Sequence, residues 1–130
     1  ADARKFSYAP YSHFAVGAAL LGADAKIYTG CNIENAAFTP GNCAERTAIF
    51  KAVSEGCREF SAIAIVGGKL DEDALAQAGY TAPCGVCRQV LREFVNPSAF
   101  AVILARTIEA YKVYTLEELL PESFGPENLK

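Results

Sequence analysis

G-N-C-A-E-R at residues 41–46 and P-C-G-V-C-R at residues 83–88 are the stretches on which the rest of this chain turns. Cys43 stands two residues before Glu45, and Cys84 and Cys87 enclose two residues directly after Pro83. Three thiols in this spacing suit a metal. Zinc takes thiolate sulfur at about 2.3 Å in tetrahedral geometry, and three protein ligands with one open position mark a catalytic rather than a structural site. Glu45 adds an acid/base group beside it. Each stretch also opens a helix. Ile49, Phe50 and Val53 make an apolar stripe over residues 43–55, with Gly56 as the stop. Val90, Leu91 and Phe94 face inward over residues 83–94, where Pro83 suits a helix start and Cys84 and Cys87 share the first turn. Free N–H groups at a helix start favour negative charge and lower a thiol's pKa, so two positive helix ends converge on one metal.

Outward from these helices the chain reads as strands. F-A-V-G-A-A-L-L (14–21) and K-I-Y-T-G-C-N (26–32) are joined by residues 22–25 alone. That link forces an antiparallel hairpin, because parallel strands need a crossover of about a dozen residues or more. S-A-I-A-I-V (61–66) follows the first helix, and strand, helix, strand in succession argues for an α/β layer. Residues 100–104 and 111–115 are the last strands, and the short gap at 105–110 makes them antiparallel as well. Thr115 and Glu118 form a capping box that opens a short helix ending before Pro121. Residues 1–9 read as a polar lead-in, the end of a helix. Residues 8–12 form a turn around Pro10, 69–80 a polar link with a helical turn at 71–77, and 122–130 a tail containing Gly and Pro. The expected fold is a three-layer α/β/α sandwich with a mixed five-stranded sheet.

One hundred and thirty residues suit a single domain over 1–130. The 52% hydrophobic content exceeds the usual range, so a sheet buried on two faces or a subunit interface is expected. No apolar run approaches the roughly eighteen residues of a membrane span, and no secretory signal is seen. The chain starts at Ala1 without a methionine, so missing N-terminal residues are expected. A net charge of −3 without a basic stripe speaks against a nucleic-acid partner. Five cysteines, an odd number with three in metal spacing, fit reduced thiols in a cytoplasm.

A Cys or His, a non-ligating Glu two residues on, and a later P-C-x-x-C form the pattern of zinc nucleobase deaminases. The flanks C-N-I-E-N-A-A-F (31–38), C-A-E-R-T-A (43–48) and A-P-C-G-V-C-R-Q-V (82–90) are more specific. Together they resemble the cytidine deaminases of the small, homotetrameric, three-cysteine type. The resemblance extends from Y-A-P-Y-S-H-F-A-V-G-A-A-L (8–20) to E-L-L-P-E-S-F-G-P-E-N-L (118–129).

It implies one Zn2+ per chain on Cys43, Cys84 and Cys87, with Glu45 as the catalytic proton carrier. The substrate would be cytidine and deoxycytidine, in cytoplasmic pyrimidine salvage. By resemblance Asn32 and Glu34 hold the ribose hydroxyl, Phe14 lines the pyrimidine pocket, and active sites are shared within a homotetramer. The residues agree. Asn32 and Glu34 alternate along an extended segment, so both point one way, and a hydroxyl can donate to Glu and accept from Asn. The Ala44 N–H, at a helix start, is placed to bond the base. Three thiolates leave zinc with a net charge of about −1, so Arg46 and Arg88 are candidates to donate to sulfur, Arg46 the better by resemblance with Gln89 alongside. Phe124, an aromatic in a tail without strand or helix period, is assigned to a neighbour's pocket, stacked on the pyrimidine.

Departures from the family are mild. Ala15 stands where proline is common, Phe38 where tyrosine is, and Ala82 where serine often precedes P-C; residues 67–81 are longer. Nucleic-acid-editing relatives place a helix between the last two strands and run them parallel, and this chain has no room for it.

Other readings stay open at this level. Cys31 or Cys57 can complete a closed four-cysteine site, and C-x-x-C alone is also a redox motif. Asn42 and Glu45 can form a capping box. Arg88 can sit in a surface salt bridge, His13 can be structural, Phe14 can be core, and Phe124 can plug its own chain. A nucleoside-analogue deaminase of the blasticidin type and a zinc-stabilised interaction module are the alternative functions.

Overall fold

A computed structural model describes residues 2–37, 39–69, 79–107 and 109–129. A 3-10 turn at Asp2–Phe6 leads into β1 (Phe14–Gly22) and β2 (Ile27–Cys31). Helix α1 (Ala44–Ser54), β3 (Phe60–Lys69), α2 (Gly85–Phe94), β4 (Ala101–Ala105), β5 (Tyr111–Thr115) and the single turn α3 (Leu116–Leu119) follow. The sheet order is β2-β1-β3-β4-β5. Only β3 and β4 run parallel, and their connection carries α2, as a crossover requires. The two short links give antiparallel pairs, β1 with β2 and β4 with β5. This is the expected α/β/α sandwich, and its last two strands are antiparallel.

The core lies on one face of the sheet, and the 3-10 turn covers part of the other, where Ala3 and Arg4 sit close over Gly17. Leu20, Ile63, Ile65 and Val102 meet Ile49 from α1, Leu91 from α2 and Leu116 from α3. Strand β3 runs past Val66 to Lys69, beyond its expected end, because its pairing with β1 continues to Phe14 opposite Lys69. The expected helical turn at 71–77 and the Phe38 departure lie outside the described residues. Thr115 and Glu118 do form the capping box.

Helix α1 corrects the expected stripe. Phe50 is exposed, and the buried face is Ala44, Ala48, Ile49 and Ala52. Small residues at every fourth position let the helix lie close on β2. How close is shown at Gly30, where a Cβ would meet the Ala44 carbonyl oxygen at 2.4 Å and the Ala48 nitrogen at 2.6 Å.

Candidate active site

The connection from β2 to α1 builds one wall of the site. Ile33 exchanges backbone hydrogen bonds with Asn42, and Tyr8 N and Glu34 N close a second pairing with Asn32 O and Tyr8 O. This stitching extends β2 and aims the chain into α1. Cys43 is the N-cap residue of α1, and its thiol makes no cap bond. Asn42 turns away, its amide donating to Thr47 Oγ1, so the capping box with Glu45 does not form. Thr47 Oγ1 in turn donates toward Cys31 O and Cys43 O, tying β2 to the helix start. Cys84 is likewise the N-cap of α2 and Cys87 its third residue, so α2 begins two residues later than expected from Pro83.

The three thiols converge. Cys43 and Cys84 sulfurs lie 3.8 Å apart, Cys84 and Cys87 sulfurs 3.4 Å apart, and all three within 4.8 Å of one another. Three sulfurs bonded at 2.3 Å to one tetrahedral zinc sit about 3.8 Å apart, so the cluster fits that ion. Neither Cys31 nor Cys57 joins it among the described residues; the Cys57 thiol is turned to Glu59 O. A closed four-cysteine site is thereby set aside. The hydrogen bond from Cys87, more than the nearby Arg46, pulls the Cys43 thiol down to about 5, while sharing that bond pushes Cys87 up. The thiols thus share protons that a metal displaces.

Glu45, one residue into α1 beyond Ala44, is only 4% exposed. Burial first, and then the charge of Cys43, raise its carboxyl pKa above the ordinary value. Such a group exchanges protons more readily near neutrality than an exposed carboxylate. Arg46 Nη2 donates to Cys43 Sγ at 3.4 Å, as expected. Its Nε is buried and has no partner among the described residues.

Arg88 and Gln89 behave differently from expectation. Arg88 Nε donates to Pro83 O and its Nη1 to Leu119 O, so the guanidinium braces the loop before α2 instead of reaching sulfur. Gln89 Nε2 donates to Phe124 O.

A cavity of about 710 Å³ lies over the sulfurs, lined by Phe14, Asn32, Glu34, Ala44 and Glu45 with Cys43 and Cys84. That volume suits a small ligand such as a nucleoside. Asn32 Oδ1 accepts from Val16 N and its Nδ2 donates to Phe14 O, fixing which end of the amide is which. Glu34 accepts from Tyr11 N, Ser12 N and Ser12 Oγ. Its carboxyl is held below the usual range, chiefly by Ser12. Four acceptor positions are available to a carboxylate, so one remains; one Asn32 N–H remains too. His13 does not line the cavity.

The model of the cytidine and deoxycytidylate deaminase zinc-binding region matches residues 1–103. The chain belongs to the cytidine deaminase family. It is 49% identical to a cytidine deaminase of Sporosarcina psychrophila over 98% of this chain and 87% of that one. The crystal structure of cytidine deaminase from Burkholderia pseudomallei superimposes with a TM-score of 0.82 at 46% identity, covering 95% of this chain and 91% of that one. That of Mycobacterium tuberculosis gives 0.78 at 35%, covering 95% and 89%. Among the described residues of this cytidine deaminase family member, no helix is long and apolar enough to cross a membrane.

Phe124 stands apart from the cavity. It is 58% exposed beside Gln89 and Pro126, so it is not a plug in its own core. Three further residues matter here that sequence reasoning passed over. Gly30 admits α1, Thr47 joins β2 to the helix start, and Ser12 holds Glu34. Thr47, four residues after Cys43, carried a usable signal in its spacing.

Proposed function

We propose that this chain hydrolyses cytidine, and deoxycytidine with it, to the uridine form and ammonia, with one zinc per chain on Cys43, Cys84 and Cys87. The observation that carries this is a buried Glu45 beside three converging sulfurs, under a nucleoside-sized cavity with Asn32 and Glu34 on its wall. When bound, zinc supplies a Lewis acid that makes water a competent nucleophile near neutral pH. Glu45 takes the proton from the attacking water and returns protons to N3 and to the departing amine. Water's oxygen replaces the amino nitrogen at C4, and ammonia leaves. Arg46 offsets the negative charge of the thiolates. Asn32 donates to the sugar hydroxyl while Glu34 accepts from it, Phe14 packs on the pyrimidine, and the Ala44 N–H bonds the base.

The same reading gives the chain a homotetrameric assembly in the cytoplasm, with Phe124 of each copy stacked on a pyrimidine bound by another. Its support is the exposure of Phe124 together with the high apolar content.

Loss of cytidine absorbance on adding purified protein tests the reaction. Glu45→Gln should keep zinc and fold while losing about 10²–10⁴-fold in turnover; full turnover in that variant rejects Glu45 as the proton carrier. Mixing Glu45→Gln chains, which lack turnover, with Phe124→Ala chains, which lack the stacking ring, should give hybrid sites with the parental KM. A fully active monomer rejects the shared site.

A further inference from the structure

The tail that carries Phe124 is held by polar tethers to α2. Arg92, buried at 8% exposure although charged, donates from Nε to Ser123 Oγ at 2.7 Å. Its two terminal nitrogens fork onto the Glu127 carboxylate at 3.3 and 2.7 Å. Gly125 lies flat on the guanidinium, where a Cβ would come within 2.4 Å of Cζ. One turn earlier on the same helix, Gln89 takes the Phe124 carbonyl at 2.8 Å. Gly125 N closes the segment on Asn128 Oδ1 at 2.8 Å. Apolar burial does little here, since Phe124 and Leu129 are both exposed.

Bonds therefore land on both sides of Phe124, on its own carbonyl, on Ser123 before it and on Glu127 after it, while its ring stays more than half exposed. A planar fork suits such a task. Arg presents fixed donors, loses little freedom on pairing, and sets the angle of the bound segment as well as its distance. The helix that presents Cys84 and Cys87 thus also sets the direction in which Phe124 projects.

We propose that Arg92, with Gln89 and Glu127, is a positioning device that fixes the angle at which Phe124 is offered to the site of a neighbouring copy. This rests on the assignment of Phe124 to that site. Arg92 touches no reacting atom and acts through the aromatic ring. Stacking on a base contributes to binding before and during reaction alike, so its loss raises KM while kcat is kept.

The test is a double-mutant cycle on the zinc-loaded enzyme with cytidine. Glu127→Ala and Ser123→Ala are made alone and in a Phe124→Ala background, and thermal unfolding is measured for each variant so that a KM change is compared only among folded chains. Phe124→Ala should raise KM about fivefold or more. Glu127→Ala should raise it by at least about threefold in the parent and by nothing further once Phe124 is gone, because the two changes then remove one interaction. An equal rise in both backgrounds overturns the clamp, as does an unchanged KM in both tail variants while Phe124→Ala is impaired. In those cases the Phe124 assignment stands. An unimpaired Phe124→Ala chain overturns that assignment and the clamp with it.

Discussion

Gly30→Ala tests how tightly the active site depends on one backbone approach. The new methyl would sit 2.4 Å from Ala44 O and 2.6 Å from Ala48 N, both main-chain atoms of α1. Ordinary contact begins near 3.4 Å, so helix and strand must part by about 1 Å. No rotamer can relieve this, because the opposing atoms are backbone. Overpacking of this kind costs about 1–3 kcal/mol, occasionally more. The same displacement moves Cys43 and Glu45 relative to Cys84 and Cys87, and a misplacement of about 1 Å can cost on the order of 10²-fold in rate. Thermal unfolding of the zinc-loaded protein and kcat/KM for cytidine should therefore fall together. Gly85→Ala is the control, since its methyl meets nothing within 4 Å at the start of α2. It should leave stability unchanged or slightly higher. A Gly30→Ala enzyme with parental melting and turnover refutes the close-approach reasoning.

Cys31→Ser and Cys57→Ser should each leave about one zinc per chain by metal analysis, because neither sulfur joins the three-thiol cluster; loss of zinc in either variant contradicts the ligand set. Cytosine should be a very poor substrate beside cytidine, since each sugar-binding polar group left unpaired costs about 1–3 kcal/mol; comparable efficiencies reject the nucleoside assignment. Asn32→Asp should raise KM, because a carboxylate cannot donate to Phe14 O as the amide does; steady-state kinetics with an unchanged KM contradict that role.

The motif residues could be read from the chain because their chemistry depends on spacing within short segments. Cys43, Glu45, Cys84 and Cys87 needed only two helix starts to meet, and those starts were signalled by Pro83 and by the apolar stripes. The antiparallel end of the sheet followed from link length alone. Side-chain destinations across the fold did not follow. Arg88 is adjacent to Cys87, yet its fork satisfies carbonyls at Pro83 and Leu119, the latter contributed by α3. Gln89 meets a tail residue for the same reason: the partner is distant in sequence. Phe50 looked like part of the inward stripe, but three alanines lie on that face, and only the close approach at Gly30 reveals why small residues are needed.

The sulfur cluster has a consequence for the chain as a polymer. Cys43 and Cys84 are 41 positions apart. A metal bridging them closes a loop of that length, and the chain-entropy model of a cross-link assigns such a closure about 4 kcal/mol, taken from the freedom of the unfolded coil. The centre of the reaction is therefore also the fastener of the fold, and chelation should loosen the middle of the molecule as well as stop turnover. Loop entropy grows only with the logarithm of length, at about 0.6 kcal/mol for a doubling. The polar stretch between β3 and α2 lies inside this fastened loop. A few residues more or fewer there cost almost nothing, so its length is free to drift while the metal keeps both helix starts together.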